Sequence, residues 1–236
     1  YLGGNMGRLF VVESGSDASG KATQTELLYN KLKMDGYNVR KIEFPNYKSE
    51  SSALVKMYLR GGFGSKPEDV NPYITSTFYA VDRYASFKTS WEEFYNNGGI
   101  IIADRYTTSN MVHQAAKYDD YSEKDKFLQW LDEYEFDFYG LPRPTKVFFL
   151  NMPVEFSFKL MKNRKNKITG NVKKDIHEAN KDYLEKSYEN ALYVAKKYGW
   201  ENIDCTSNDK LRQIKDIHEE IYSLILKSLK SSEDGD

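Results

Sequence analysis

Residues 8–25, RLFVVESGSDASGKATQT, constrain this chain more than any other stretch. Leu9, Phe10, Val11 and Val12 form a short run with no polar position, which reads as a strand buried on both faces. The next segment places Gly15, four further residues and then Gly20-Lys21, fitting the phosphate-cradling pattern G-x-x-x-x-G-K. A helical segment opens directly behind it. Glycines let such a loop turn tightly and aim successive N–H groups inward. The helix N-terminus adds its positive end, and the lysine reaches the outer phosphates. An ordinary Gly/Ser turn is the competing reading. The order strand, loop, helix favours a nucleotide phosphate site built from Gly15, Ser16, Asp17, Ala18, Ser19, Gly20, Lys21, Ala22 and Thr23. Ala22 breaks the pattern, because Ser or Thr there would offer a hydroxyl to Mg²⁺. Thr23 points about 100° away around the helix and is no automatic substitute.

The rest of the chain alternates strands and helices. Leu27, Leu28 and Leu32 give the first helix its apolar stripe, with Gly36 as its stop. A second strand spans 39–44 and ends at Pro45. A helix containing Val55 and Leu59 runs into Gly61-Gly62. A long helix over 72–97 is expected to turn Ile74, Phe78, Val81 and Ala85 inward. Residues 100–103 read as a central parallel strand and 107–117 as a helix. The acidic, aromatic stretch 118–140 reads as surface helices on the core or as a subunit interface. A fourth strand is expected at 146–150, then a helix from Pro153. A further helix over 175–198 is expected to bury Ala191, Leu192 and Ala195. A last strand at 203–205 precedes a final helix marked by Leu211, Ile214, Ile217, Ile221, Leu224 and Ile225. This alternation argues a doubly wound parallel sheet. Ligands then lie beyond the C-terminal ends of the strands.

Three further constellations carry chemistry. Asp104-Arg105-Tyr106 follows the third strand, at the same sheet edge as the loop. The carboxylate can organise Mg²⁺ or its waters, and the arginine fork can grip a phosphate. A structural ion pair is the alternative. Tyr79 and Arg83 lie one helical turn apart, suiting a planar base that one residue stacks on and the other hydrogen-bonds. A solvated cation–π pair is the plainer reading. Residues 161–174 carry Lys162, Arg164, Lys165, Lys167, Lys173 and Lys174 around Thr169-Gly170-Asn171. That composition suits a lid that closes over phosphates, against the alternative of a solvated face.

Composition excludes several classes. Lys+Arg 34 against Asp+Glu 35 gives a net charge of −1, which argues against a nucleic acid polymer as partner. No apolar run approaches about 18 residues, so no membrane span is expected. No apolar leader stands ahead of the first strand, so the expectation is a cytoplasmic protein. One cysteine, Cys205, excludes an internal disulfide and a cysteine metal cluster. His113, His177 and His218 are too scattered for a metal site. The expected organisation is one domain over 6–230, with 1–5 a leftover ahead of Met6 and 231–236 a disordered tail.

Taken together these pieces resemble the thymidylate kinase family. The matching segments are GSDASGKATQ, FPNY after the second strand, SSALVKMYL, FYAVDRY, DRYTTSN with Gln114, the basic stretch, and ENIDCTSND. Their order holds over nearly the whole chain. The resemblance implies a three-layer α/β P-loop kinase fold: a parallel sheet of about five strands, helices on both faces and a basic lid. It implies phosphoryl transfer from ATP to dTMP with Mg²⁺, giving ADP and dTDP, in a homodimer. By the same resemblance Asp17 approaches the acceptor's sugar hydroxyl, and Tyr79 stacks on thymine. Arg83 and Gln114 bind the base edge. Arg105 holds the acceptor phosphate, with Ser109 alongside. Tyr106 sits against C2′ of the sugar, and Phe44 and Pro45 shape the wall. Thr206 falls in the adenine loop. Lys21, Asp104, Arg105 and the lid's Arg164 serve catalysis, with Lys165 on ATP. The metal has no certain protein ligand, Asp104 reaching it through water.

The chain departs from the family at Ala22, at the extra residue in Glu13-Ser14-Gly15, at Tyr47 in place of an acceptor-phosphate arginine, and at Ala18. Family members lacking an arginine at that last position use basic lid residues instead. Rival readings are a deoxynucleoside kinase of related fold, a kinase of another monophosphate, and a nucleotide-binding protein weakened in catalysis.

Overall fold

The computed structural model describes residues 6–161 and 181–230. The expected remnant at 1–5, the basic lid with Arg164 and Lys165, and the tail from 231 lie outside the described residues. Strand β1 (Arg8–Ser14) leads into α1 (Lys21–Met34), β2 (Val39–Glu43) and α2 (Ala53–Leu59). Helix α3 (Pro72–Ser86) continues through a π-helical segment, Phe87–Trp91, into α4 (Glu92–Asn96). Next come β3 (Ile100–Asp104), α5 (Thr107–His113) and α6 (Tyr121–Asp132), the last prolonged by a second π-helical segment, Glu133–Phe138. Strand β4 (Lys146–Asn151), α7 (Val154–Met161), α8 (Lys181–Lys197) and β5 (Glu201–Asp204) follow. A small hairpin, β6 (Thr206–Ser207) and β7 (Lys210–Leu211), precedes α9 (Ile214–Lys230).

The five main strands form one parallel sheet in the order β2-β3-β1-β4-β5. Alternation along β1 explains the two layers of core. Leu9 and Val11 face a cluster with Ile101, Ala103, Phe127 and Leu131. Phe10 and Val12 face Ile102, Phe148, Ile203 and Ile221 on the other side. Each such side chain, fully withdrawn from water, stabilises by roughly 1.5–3 kcal/mol. Val12 pairs in register with Asp104, so the end of β3 stands beside the start of the phosphate loop.

Local signals set the helix starts. Asn71 Oδ1 accepts from the Tyr73 N–H at 2.8 Å, and Pro72 occupies the first helical position of α3. No described helix is long and apolar enough to cross a membrane.

The apolar stripe expected on α3 is only half turned inward: Phe78 and Ala85 are half-buried, Phe78 against the cluster of Val55 and Leu59. Ile74 is 53% and Val81 44% exposed, while Thr75, Ser76, Asp82 and Arg83 are buried. The periodicity argument assumes that polar residues seek water. Here Asp82 and Arg83 have partners inside: Ser51 Oγ donates to Asp82 at 2.6 Å and the Asn46 N–H at 2.7 Å. Leu192 is likewise exposed and Val194 takes its place in the core beside Ala191 and Ala195. Leu211 and Ile214 are exposed as well, ahead of the buried Ile217 and Ile221. Residues 118–140 form one helix and a π-helical segment against the core, where Phe127, Leu131 and Phe136 are buried.

Candidate active site

The phosphate loop is held from three sides. Gly15 packs so closely against α8 that a Cβ there would lie 2.9 Å from Tyr188 Cα and 3.0 Å from Ala191 Cβ. Ser16 Oγ shares a hydrogen bond of 2.6 Å with Ser157 Oγ on α7. Ala18 (φ 57°) and Gly20 (φ 92°) adopt left-handed backbone, turning the loop into α1. Gly20 caps α1 without a side chain, so no side-chain oxygen covers the first-turn N–H groups. An anion can take that place.

Lys21 is only 6% exposed. Its ammonium donates to Ser14 Oγ at 2.5 Å, to the Ser16 carbonyl at 3.0 Å and to Ser19 Oγ at 3.3 Å. Burial lowers its pKa to about 8, with Arg105 adding to the shift and Asp17, Glu13 and Asp104 opposing it. Ala22 and Thr23 are exposed on the first turn of α1. Residues 17–23 with Asp104 and Arg105 line a cavity of about 320 Å³. The structure thus joins the loop to the third-strand motif, which lies far off in sequence.

Arg105 adopts φ 68°, an uncommon conformation for a side-chain-bearing residue and one that clusters at functional sites. Its Nη2 donates to Asp17 Oδ1, and its Nη1 lies 3.2 Å from His113 Nε2, 3.4 Å from Ser109 Oγ and 3.7 Å from Glu13 Oε1. Burial alone would lower the pKa of this guanidinium. The carboxylates of Asp17, Glu13 and Asp104 outweigh that and hold it above the ordinary arginine value.

Glu13 is a member of the site that sequence reasoning missed. Fully buried, it accepts from Thr108 Oγ1 at 2.8 Å, from Ser109 Oγ at 2.5 Å and from the Ser14 N–H at 2.9 Å. It therefore ties the end of β1 to the start of α5. Its place at the end of a buried strand was the available signal, obscured by the extra residue before Gly15.

The acceptor side is assembled differently from the sequence expectation. Phe44 and Pro45 are joined by a cis peptide, and the Phe44 ring is buried 5.9 Å from that of Tyr106. Tyr79 is half-buried against Val55, Tyr58, Leu59 and Val70. Arg83, expected to offer its fork to a base, is 1% exposed and gives Nε and Nη2 to the two oxygens of Glu135, the former at 2.6 Å. Its Nη1 donates to the Tyr106 carbonyl at 3.4 Å. One hydrogen on each Nη is left over by these bonds. Tyr106, expected against the sugar, is wholly buried among Phe44, Trp91 and Phe136, with its hydroxyl donating to the Pro142 carbonyl at 3.1 Å. It packs as a core residue directly after the left-handed turn at Arg105. Gln114 is 1% exposed, and its Oε1 has no hydrogen-bond partner among the described residues.

Thr206 opens the β6–β7 hairpin, whose turn residues Asn208 (φ 51°) and Asp209 (φ 57°) both have positive φ. It is not among the walls of the cavity. The neighbouring Cys205 is a buried free thiol, pushed up to about 12 by burial. Gln24 Nε2 donates to the Ile214 carbonyl at 3.0 Å, tying α1 to the segment just after the hairpin.

As to metal, no group of three or more His, Cys, Asp or Glu side chains gathers among the described residues. Among the described residues Asp104 is the carboxylate on the cavity wall that acts on Arg105 without an ion pair to it. That donor set fits Mg²⁺, which keeps several waters and relies on substrate phosphates plus one or two carboxylates.

Comparison with known proteins agrees with this architecture. A family model described as thymidylate kinase matches residues 14–221. The thymidylate kinase of Schizosaccharomyces pombe is 26% identical over 221 residues, covering 94% of this chain and 92% of that protein. A probable thymidylate kinase of Methanocaldococcus jannaschii is 29% identical over 92% of this chain and 95% of its own length. Among solved structures, the thymidylate kinase of Candida albicans superposes with a TM-score of 0.68 at 20% identity, covering 94% of this chain and 92% of that one. The likeness in structure supports the P-loop kinase fold, and the sequence match across most of the chain carries the assignment: the chain belongs to the thymidylate kinase family.

Proposed function

We propose that this protein transfers the γ-phosphoryl group of ATP to dTMP, giving ADP and dTDP. The observation that carries the reading is the convergence of Lys21 and Arg105 on one cavity beside Asp104. Phosphoryl transfer to an acceptor that is already an anion needs no strong base. It needs positioning and positive charge around the moving group.

In this reading the loop N–H groups of residues 15–21 and the Lys21 ammonium hold the ATP phosphates. Arg105 holds the acceptor phosphate with Ser109 alongside, and Asp17 approaches the acceptor's sugar hydroxyl. Tyr79 stacks on the base, while Gln114 and the remaining Arg83 donors meet its edge. Phe44 and Pro45 close the wall, and Thr206 serves the adenine side. Mg²⁺ supplies charge neutralisation on the phosphates when bound, with Asp104 holding its waters. Arg164 and Lys165 complete the donor side from the lid. The reading takes residues 6–230 as one kinase domain. Free, buried Cys205 suits a reducing compartment, and the setting we propose is the cytoplasm. A homodimer fits the exposed apolar residues Ile74 and Val81 on α3 and Leu54 and Met57 on α2.

The test is ADP release from ATP and Mg²⁺ with dTMP, dUMP, dGMP and thymidine in turn. Turnover with dTMP well above the others is expected. Preference for thymidine would make the protein a nucleoside kinase instead, and no turnover with any acceptor would remove the catalytic reading.

A further inference from the structure

The stretch 118–140, expected as surface helices on the core or a subunit interface, sends one side chain to Arg83 and the start of α5. Glu135, in the π-helical segment after α6, is fully buried. It accepts from Arg83 Nε at 2.6 Å and from Arg83 Nη2 on its other oxygen, a bidentate fork. The oxygen facing Nε also accepts from Thr107 Oγ1 at 2.8 Å, at the first position of α5. Arg83 Nη1 donates in turn to the carbonyl of Tyr106, the residue that follows Arg105. Glu135 therefore ties α3 to the start of α5, and Arg83 adds the turn that carries Arg105; Gln114 caps the far end of α5.

We propose that Glu135 is a positioning residue for the acceptor nucleotide. It fixes the plane of the Arg83 guanidinium, so that the Nη hydrogens left over keep one direction toward the base. It also neutralises Arg83, so that a neutral base meets a paired cation. The proposal rests on the reading of Arg83 as a base-edge residue. A buried ion pair could instead serve stability alone. The two roles separate in kinetics, because a structural loss lowers the amount of active enzyme without raising the KM of one substrate.

The experiment measures steady-state kinetics of the full chain with ATP, Mg²⁺ and dTMP, alongside thermal melting. Glu135→Gln keeps the shape and removes the charge. It should raise the KM for dTMP about tenfold or more while the KM for ATP stays within about twofold. Thr107→Val leaves the ion pair and removes one hydrogen bond, and should shift the dTMP KM the same way by about two- to threefold. In an Arg83→Met background, adding Glu135→Met should produce no further rise, since the second residue acts through the first. If Glu135→Gln does not fold, the paired Met replacements and Thr107→Val decide the matter. An unchanged dTMP KM in folded Glu135→Gln, with a raised one in Arg83→Met, overturns the positioning role and leaves Arg83 at the base. An unchanged dTMP KM in Arg83→Met itself removes Arg83 from the base and the proposal with it.

Discussion

Arg105 and Asp17 close on each other across the mouth of the phosphate loop, the guanidinium at the end of β3 donating to the carboxylate at the loop's tip. In the proposed function an incoming acceptor phosphate would compete with Asp17 for the same fork. Arg105→Met should therefore raise the KM for dTMP by on the order of ten- to hundredfold, with the KM for ATP within about threefold. Equal losses for both substrates would mean that Arg105 braces the loop and does not bind the acceptor.

Lys21 sets a pH limit. Its folded-state pKa is lowered from 10.5 to about 8, chiefly by burial. The unfolded chain thus binds more protons across that window, and this group's contribution to stability rises as pH climbs from about 8 toward 10.5. Activity runs the other way, because a neutral lysine does not neutralise phosphate. The pH profile of kcat/KM for ATP, which reports the free enzyme, should fall above about pH 8. The profile of kcat should hold further into base, since bound ATP keeps Lys21 charged. A kcat/KM profile flat far beyond that pH would place the charge of Lys21 outside the binding step.

Much of this was legible in the sequence, for identifiable reasons. The strand 100–104 and the loop from Gly15 are written in local chemistry, an unbroken apolar run and a glycine spacing, and both stand where expected. The α3 stripe was misread because Asp82 and Arg83 are charged and buried at once, and their partners Ser51 and Glu135 lie far along the chain. No periodicity encodes such a pairing. The same holds for Glu13, whose partners Thr108 and Ser109 are brought to it only by the β1–β3 pairing. Tyr106 was placed against the sugar by family resemblance alone, and its aromatic neighbours Phe44, Trp91 and Phe136 are brought to it only by the fold.

Gly15 is required by a close approach between chain segments. The atom 2.9 Å from a hypothetical Cβ is Tyr188 Cα, so backbone must move to admit it. Gly15→Ala should destabilise the fold by about 1–3 kcal/mol, through overpacking between the loop and α8. It should also weaken ATP binding, since the loop N–H groups shift with the backbone. A melting temperature and ATP affinity equal to those of the parent would show that α8 yields freely at this point.

Ala22 tests the account of the metal. The residue is exposed on the first turn of α1, so a hydroxyl there fits without a clash. Ala22→Ser should leave turnover unchanged or raise it, and should lower the Mg²⁺ concentration needed for half-maximal rate. In the proposed reading the metal would otherwise be carried by ATP phosphates, waters and Asp104. If a folded Ala22→Ser enzyme is inactive, residue 22 touches the nucleotide in some other way.

Base selectivity follows from which groups can donate. Gln114 Oε1 is buried with no partner among the described residues, and an unmade hydrogen bond of that kind is costly to leave. The N3–H of thymine or uracil can satisfy it. A glutamine amide can turn over, however, and its NH₂ would then meet the N3 acceptor of cytosine equally well. Arg83 breaks that tie. A guanidinium only donates, so it suits the O4 carbonyl of thymine or uracil and opposes the exocyclic amine of cytosine. With Glu135 holding its plane, the guanidinium is not free to swing aside. A buried donor facing an amine costs roughly 1–3 kcal/mol, or about ten- to hundredfold in relative kcat/KM. The expected order is therefore dTMP first, dUMP weaker and dCMP poor. Tyr79→Ala should raise the dTMP KM and spare ATP, because the ring lost is the stacking partner. Gln114→Leu should weaken dTMP and dUMP together and leave their ratio to each other unchanged, since both offer the same N3–H and O4. Competition assays with the three monophosphates measure all of this directly. Use of dCMP as readily as dTMP by the parent enzyme would place the base elsewhere, even with the phosphate loop and Arg105 working as described.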